Sequence, residues 1–254
     1  MSQPQQAKAI AIVQARMGST RLPGKSLASL GDYTLLGLLL TRLKATRELD
    51  SIVVATTVGA EDDAIKAEAH RYHISCIQGS AEDVLGRFVA AAAQHRAGIY
   101  VRVCADNPLT DPGQVDRLVR FARTGGYDLA YNHRPECGLP DGVGAEAMTD
   151  STLEKLDLLA TDPSHREHVT LYAYDNSREF NIGRLDTTRG EARPEYRLDV
   201  DYPEDLQFIR ELCLALSSKE APLWSTAQII ATLDRHPELL KLRRPRSESY
   251  ARSG

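Results

Sequence analysis

The first half of the chain alternates between short apolar runs and longer helical patterns, and this rhythm most narrows the folds open to it. Apolar or β-branched runs at 9–13, 52–56, 74–77, 99–103 and 127–131 read as strands. Between them, spacing predicts helices over 35–43, 61–72, 82–95 and 112–123. Strands joined through helices imply βαβ units, because parallel strands need a crossover long enough to carry the chain back. The expectation is an α/β fold with a mostly parallel central sheet flanked by helices. In such folds ligands bind at the carboxyl ends of the strands.

Beyond residue 131 the rhythm breaks. Residues 132–144 hold Pro135, Pro140, Gly138, Gly142 and Gly144, and read as a long loop. Helices are expected at 150–159 and 164–174, strands near 180–184 and 196–200, and helices again at 203–216 and 224–233. Pro203 suits the first turn of its helix. No repeat or compositional break calls for a second unit, so 1–235 is expected to form a single domain. Residues 236–254, charged and proline-punctuated, are expected to be a solvated tail, with docking of Arg243, Arg244 and Arg246 on a neighbouring subunit as the alternative.

A formal net charge of −4 gives no reason to expect nucleic acid or an anionic membrane as partner. The richest apolar stretch, 35–40, is far short of the roughly 20 residues needed to span a bilayer. The first residues are polar and lack a signal pattern. Cys76, Cys104, Cys137 and Cys213 are widely spaced and contain no CxxC pair, which favours free thiols over a zinc site or disulfides. A cytoplasmic protein is therefore expected. His165 and His168 lie three apart without an accompanying carboxylate motif, and read as surface or hydrogen-bonding residues rather than metal ligands.

The segment from Gln14 to Lys25, QARMGSTRLPGK, follows directly on the first strand. Gly18 and Gly24 let backbone N–H groups approach an anion, and Arg16, Arg21 and Lys25 place three cations within ten residues. Such a cluster suits a triphosphate and a departing pyrophosphate. A P-loop is the rival reading, since Gly24, Lys25 and Ser26 mimic its end. Its first glycine would be misplaced, however, and Pro23 lacks an N–H where the cradle needs donors.

Two acidic spots complete the pattern. Asp106 follows the strand at 99–103, while Asp199 and Asp201 stand two apart on an expected strand, where side chains share a face. Hard carboxylate oxygens, few in number, suit Mg²⁺ that also binds substrate phosphates. The alternatives are that Asp201 caps the helix at 203–216 and that Asp106 shapes a turn before Pro108.

Taken together, these segments resemble the sugar-acid cytidylyltransferases: the CMP-Kdo synthetases, the acylneuraminate cytidylyltransferases and, most nearly, the spore coat polysaccharide group. Residues 79–88, 102–109, 166–170 and 199–206 extend the resemblance, which spans roughly residues 9–210. It implies a nucleotide-diphospho-sugar transferase (Rossmann-like) fold, CTP as donor, Mg²⁺ as cofactor, a sugar-acid-like acceptor and a homodimer. Arg16 and Lys25 match the positions that contact the triphosphate, and Asp106 and Asp201 the metal-binding aspartates, with Asp199 an occasional companion. The implied nucleotide-binding set is Ala15, Arg16, Met17, Gly18, Arg21, Lys25, Ser80, Cys104 and Ala105, and the implied catalytic set is Arg16, Lys25 and Asp106. The family often carries glutamine two residues before the metal aspartate; here that position is Cys104, which leaves base selection to backbone groups and other side chains. From its position alone, the 132–144 loop is expected to contact the acceptor through His133, Arg134 and Asp141, with a dimer contact or a plain insertion as the alternatives. The resemblance implies in-line attack of an acceptor oxygen on the α-phosphate of CTP. A non-catalytic nucleotide-sugar-binding module and a glycosyltransferase using Asp199 and Asp201 are the other readings that remain open.

Overall fold

The computed structural model describes residues 7–216 and 222–243. Its first strand, β1 (Ala9–Gln14), is apolar nearly throughout and occupies the middle of the main sheet. A small hairpin, β2 (Ser29–Leu30) and β3 (Tyr33–Thr34), leads into α1 (Leu35–Leu43). Thr34 starts that helix by accepting from the Gly37 N–H at 2.8 Å. Every leucine of α1 is buried, as befits a helix apolar on all sides.

The chain then alternates through β4 (Ser51–Thr57), α2 (Asp63–Arg71), β5 (Ser75–Gly79), α3 (Val84–Gln94), β6 (Ile99–Cys104) and α4 (Pro112–Gly125). Next come β7 (Leu129–Tyr131), β8 (Glu146–Thr149), α5 (Asp150–Leu159), α6 (Pro163–Glu167), α7 (Leu171–Asp175) and β9 (Ile182–Arg184). The described chain continues with α8 (Pro203–Leu216) and α9 (Thr226–Arg235). The sheet runs β5-β4-β1-β6-β8-β7-β9. β1 is parallel to both β4 and β6, β4 to β5, and β7 to β9, whereas β8 lies antiparallel to both β6 and β7. This is the expected α/β architecture with its mostly parallel sheet.

Strand alternation divides the core. Ala11 and Val13 face α1 and α4, packing on Leu36, Leu39, Leu40 and Leu118; Ile10 and Ile12 face α3 and α5, packing on Leu85, Phe88 and Leu153. Leu35 and Leu38 turn the far side of α1 onto α8 and α9 through Phe208, Leu212, Ile229 and Leu233. Successive connections leave β1 towards β4 and later reach β6 on its other side. The resulting crevice at the carboxyl ends of β1 and β6 is a topological switch point. No described helix is long and apolar enough to cross a membrane.

The second half departs from the sequence-based expectation in several places. The helix expected over 164–174 is split into α6 and α7, because His168 leaves helical geometry at φ −103° and ψ 74°. The break lets the Thr170 hydroxyl reach the buried Glu146 carboxylate at 2.9 Å. The strand expected over 196–200 is extended backbone with one isolated bridge, Asp141 to Arg197. Strand β8 has no counterpart in the pattern, since Ala and Met favour strands weakly; both of its edges are paired, by β6 and by β7. Residues 239–242 form a 3₁₀ turn, and Arg243 is buried rather than solvated. Its guanidinium donates to the Arg197 and Asp199 carbonyls at 2.6 and 2.9 Å and pairs with Asp199 and Asp205 at 3.2 and 3.0 Å. Arg244 and Arg246 lie outside the described residues.

Candidate active site

The Gln14–Lys25 loop folds back on itself at the end of β1. The Met17 carbonyl accepts from both the Ser19 and Gly24 N–H groups, at 2.8 and 3.0 Å. Gly24 adopts φ 72°, a left-handed conformation in which a side chain would be strained. The Ser26 hydroxyl donates to the Arg16 carbonyl at 3.1 Å. Lys25 opens a 3₁₀ turn, Lys25–Leu27, and α1 begins only at Leu35 beyond the hairpin. A P-loop would place this lysine at the head of a helix, so the kinase reading lacks its structural context.

Lys25 is the hub of the site. Its ammonium donates to Asp106 Oδ2 at 3.0 Å, Asp201 Oδ1 at 2.9 Å and the Val200 carbonyl at 2.9 Å. Burial alone would lower its pKa, but the Asp106 and Asp201 charges outweigh it and hold the ammonium above its ordinary value. Arg21 also pairs with Asp201 Oδ1 at 3.0 Å. Two carboxylates 95 residues apart in sequence are thus brought onto one cation, aided by the Val200 N–H bonding to the Asp106 carbonyl at 2.9 Å. The first turn of α8 is served by Asp205, whose Oδ2 accepts from the Asp201 and Tyr202 N–H groups at 3.1 and 3.0 Å.

These groups surround a cavity of about 220 Å³ lined by Ala15, Arg16, Gly18, Arg21, Lys25, Cys104, Ala105, Asp106 and Asp201 among the expected residues. Arg16 reaches across it to Glu167 at 3.9 Å. Burial pushes the Cys104 thiol up to about 12, so it lines the cavity as a neutral group.

Other expected residues are placed elsewhere. Met17 does not line the cavity; its N–H is tied to Asp62 Oδ1 at 2.7 Å. Ser80 is exposed and accepts from the Glu82 N–H at 3.2 Å, while its carbonyl accepts from Arg87. Asp199 does not meet Asp106 across the cavity, because the backbone there is not a regular strand and its carboxylate pairs with Arg197 at 2.7 Å and with Arg243. Nor do His133, Arg134 and Asp141 line the cavity. His133 lies 4.0 Å from Glu146, and its pKa is lowered chiefly by burial. Arg134 stacks on the Tyr174 ring at 3.5 Å, and Asp141 exchanges backbone hydrogen bonds with Tyr196 and Leu198. The loop is thus tied to residues 187–198, which follow β9, and to Tyr174 on α7.

The cavity wall also includes Gln14, Val84, Arg87, Glu167 and His168, which the residue-by-residue reading did not single out as site residues. For Glu167 and His168 the available signal was the matching segment 166–170. The α6–α7 break that exposes them depends on Glu146, which no local pattern reveals. Glu146 accepts from Arg102 at 2.6 Å, from Tyr174 at 2.7 Å and from Thr170. Burial alone would raise its pKa, but Arg102, with His133, brings it down to about 2. Its folded value thus lies below its unfolded one, so its contribution to stability is present above about pH 4.5 and is lost as pH falls towards 2. Glu146→Gln is expected to destabilise the fold by about 3–5 kcal/mol at neutral pH, by leaving Arg102 buried without its charge partner. Urea unfolding should also show a shallower loss for the variant than for the wild type between pH 4.5 and 2. Equal acid slopes in both would contradict this role for the carboxylate.

Comparison with known proteins identifies the family. A family model described as cytidylyltransferase matches residues 10–228. The spore coat polysaccharide biosynthesis protein SpsF of Bacillus subtilis is 32% identical over 89% of this chain and 94% of its own. A cytidylyltransferase structure from Leptospira borgpetersenii superposes with a TM-score of 0.86 at 31% identity, covering 94% of this chain and 99% of that one. A CMP:2-keto-3-deoxy-manno-octonic acid synthetase complexed with CTP has the same fold, with a TM-score of 0.64 at 20% identity over 82% of this chain and 98% of its own. With a basic loop and two aspartates converging at the switch point of the sheet, and a family match over most of its length, the chain belongs to the cytidylyltransferase family.

Proposed function

We propose that this enzyme transfers CMP from CTP to a sugar-acid-like acceptor and releases pyrophosphate, as a cytoplasmic homodimer supplying surface polysaccharide synthesis. The observation that carries the reading is the convergence of Lys25 and Arg21 with Asp106 and Asp201 at the end of β1. CTP in the related synthetase and polysaccharide synthesis in SpsF support the choice of donor and the biosynthetic role.

Among the described residues no group of three or more His, Cys, Asp or Glu side chains forms a complete metal cage. Two carboxylates around a single cation position are nevertheless the donor set that suits Mg²⁺ when phosphates supply further ligands. Asp106 and Asp201 would hold the ion, which when bound supplies Lewis-acid polarisation of the α-phosphate. Lys25 and Arg21, released from those carboxylates, turn to the triphosphate with Arg16 and stabilise the charge that develops on pyrophosphate. Gly18 and Ala15 let the backbone approach the nucleotide closely. Glu167 and His168, which also line the cavity, are the side chains this reading offers to the acceptor.

Pyrophosphate release tests this reading, with CTP, UTP, GTP and ATP each offered with Mg²⁺ to a panel of neutral sugars and sugar acids that includes 3-deoxy-manno-octulosonate. Release is expected with CTP and a sugar acid, and chelation is expected to abolish it. Release with another nucleotide alone would move the donor assignment. Tight CTP binding without release from any pair would instead favour a binding module.

A further inference from the structure

Gln14 ends β1 and pairs in register with Cys104, which puts its side chain at the cavity floor. Its Oε1 accepts from Arg102 Nε at 3.1 Å. A guanidinium carries donors and no acceptor, so the amide must turn its oxygen to Arg102 and its NH₂ group away. This chemistry removes the two-fold ambiguity that a glutamine amide otherwise has. Arg102 is itself held, since its Nη1 donates to the buried Glu146 at 2.6 Å, and Glu146 is fixed in turn by Thr170 and Tyr174. The Gln14 amide nitrogen has no hydrogen-bond partner among the described residues, and it is not sealed from solvent.

We infer that Gln14 is a specificity-determining residue, whose N–H pair, oriented by the Glu146–Arg102 ion pair, donates to an oxygen of a bound substrate. The inference rests on the transfer reading above. The hydroxyls around the cavity, on Ser19, Thr20 and Ser26, can donate or accept. Gln14 turns its donor face to the cavity, because Arg102 holds its oxygen on the other side. It therefore favours a ligand carbonyl, hydroxyl or carboxylate oxygen and opposes a ligand donor at that point. Such an oxygen belongs either to the nucleotide, on its ribose or pyrimidine, or to the acceptor.

Gln14→Glu removes the donor pair but adds a negative charge, whereas Gln14→Met removes it without one, so only a loss shared by both variants is assigned to the donor pair. Gln14→Glu keeps the shape and still offers Arg102 an acceptor, but replaces the NH₂ group with oxygen. Two quantities are measured: CTP affinity by calorimetry with Mg²⁺, and the KM of the sugar acid that supports pyrophosphate release at saturating CTP. A loss of about 10- to 100-fold in CTP affinity assigns the oxygen to the nucleotide; the same rise in acceptor KM, with CTP affinity kept, assigns it to the acceptor. Gln14→Met, which keeps bulk without the amide, is expected to lose a similar factor and serves if the glutamate variant fails to fold. Constants within twofold of wild type on both measurements would overturn the inference. If the wild-type chain releases no pyrophosphate with any acceptor, the transfer reading fails on its own. The amide assignment is then judged on CTP affinity, and unchanged affinity overturns it.

Discussion

Lys25→Ala is expected to lower turnover by about 10²–10³-fold while leaving the protein folded. The size follows from the number of tasks this ammonium performs. It neutralises Asp106 and Asp201 together, at 3.0 and 2.9 Å, and its 3₁₀ turn is anchored by the left-handed Gly24 and by the Ser26–Arg16 hydrogen bond. In the proposed reaction, it is the cation that meets the charge building as pyrophosphate departs. Losing one such preorganised interaction costs about 3–4 kcal/mol of transition-state stabilisation, which corresponds to the stated factor. Lys25→Arg is not expected to rescue the activity, since a planar fork cannot occupy the compact position shared by two carboxylates and the Val200 carbonyl. Steady-state pyrophosphate release, with circular dichroism to check folding, measures both variants. A folded Lys25→Ala enzyme within tenfold of wild type would remove Lys25 from the catalytic set.

Arg42→Met should cost about 3–5 kcal/mol of unfolding free energy, although Arg42 touches no substrate-facing group. This arginine on α1 is fully buried, and its guanidinium donates to four main-chain carbonyls: Leu109 at 3.3 Å, Thr110 at 3.1 Å, Pro222 at 2.6 Å and Trp224 at 2.8 Å. Burial pulls its pKa down to about 10, partly offset by Asp111, and it remains a cation at neutral pH. Methionine fills much of the volume but donates nothing, leaving carbonyls buried without partners. Each such group costs about 1–3 kcal/mol, less whatever water recovers. Because Leu109 and Thr110 continue the loop that bears Asp106, activity should fall along with stability. Urea titration with an unchanged m-value is the appropriate measurement. A loss below about 1 kcal/mol would show that the four carbonyls find other partners.

Both variants bear on how much could be read without coordinates. The first half was legible because strand and helix periodicities are local properties of adjacent residues, and α1 and α4 start where the pattern places them. The basic loop was legible because its glycines and cations lie within one short segment. Legibility failed wherever distant partners set the conformation. The break between α6 and α7 answers to Glu146 on β8, and β8 itself exists because β6 and β7 flank it. Asp199 illustrates the same limit: alternation put it beside Asp201, yet Arg197 and Arg243 hold its carboxylate away from the cavity.

The sequence by itself determined the α/β class, the basic loop after β1 and the candidacy of Arg16, Lys25, Asp106 and Asp201, because each depends on neighbouring residues or on a short motif. Only the tertiary structure decided that Lys25 joins two aspartates far apart in the chain, that Glu167 and His168 line the cavity, and that Arg102 orients Gln14. Those arrangements come from pairing buried charges and hydrogen-bonding groups across the fold. Low-dielectric burial makes an unpaired charge costly, and the partners that relieve that cost are brought together only when the sheet and its helices have assembled.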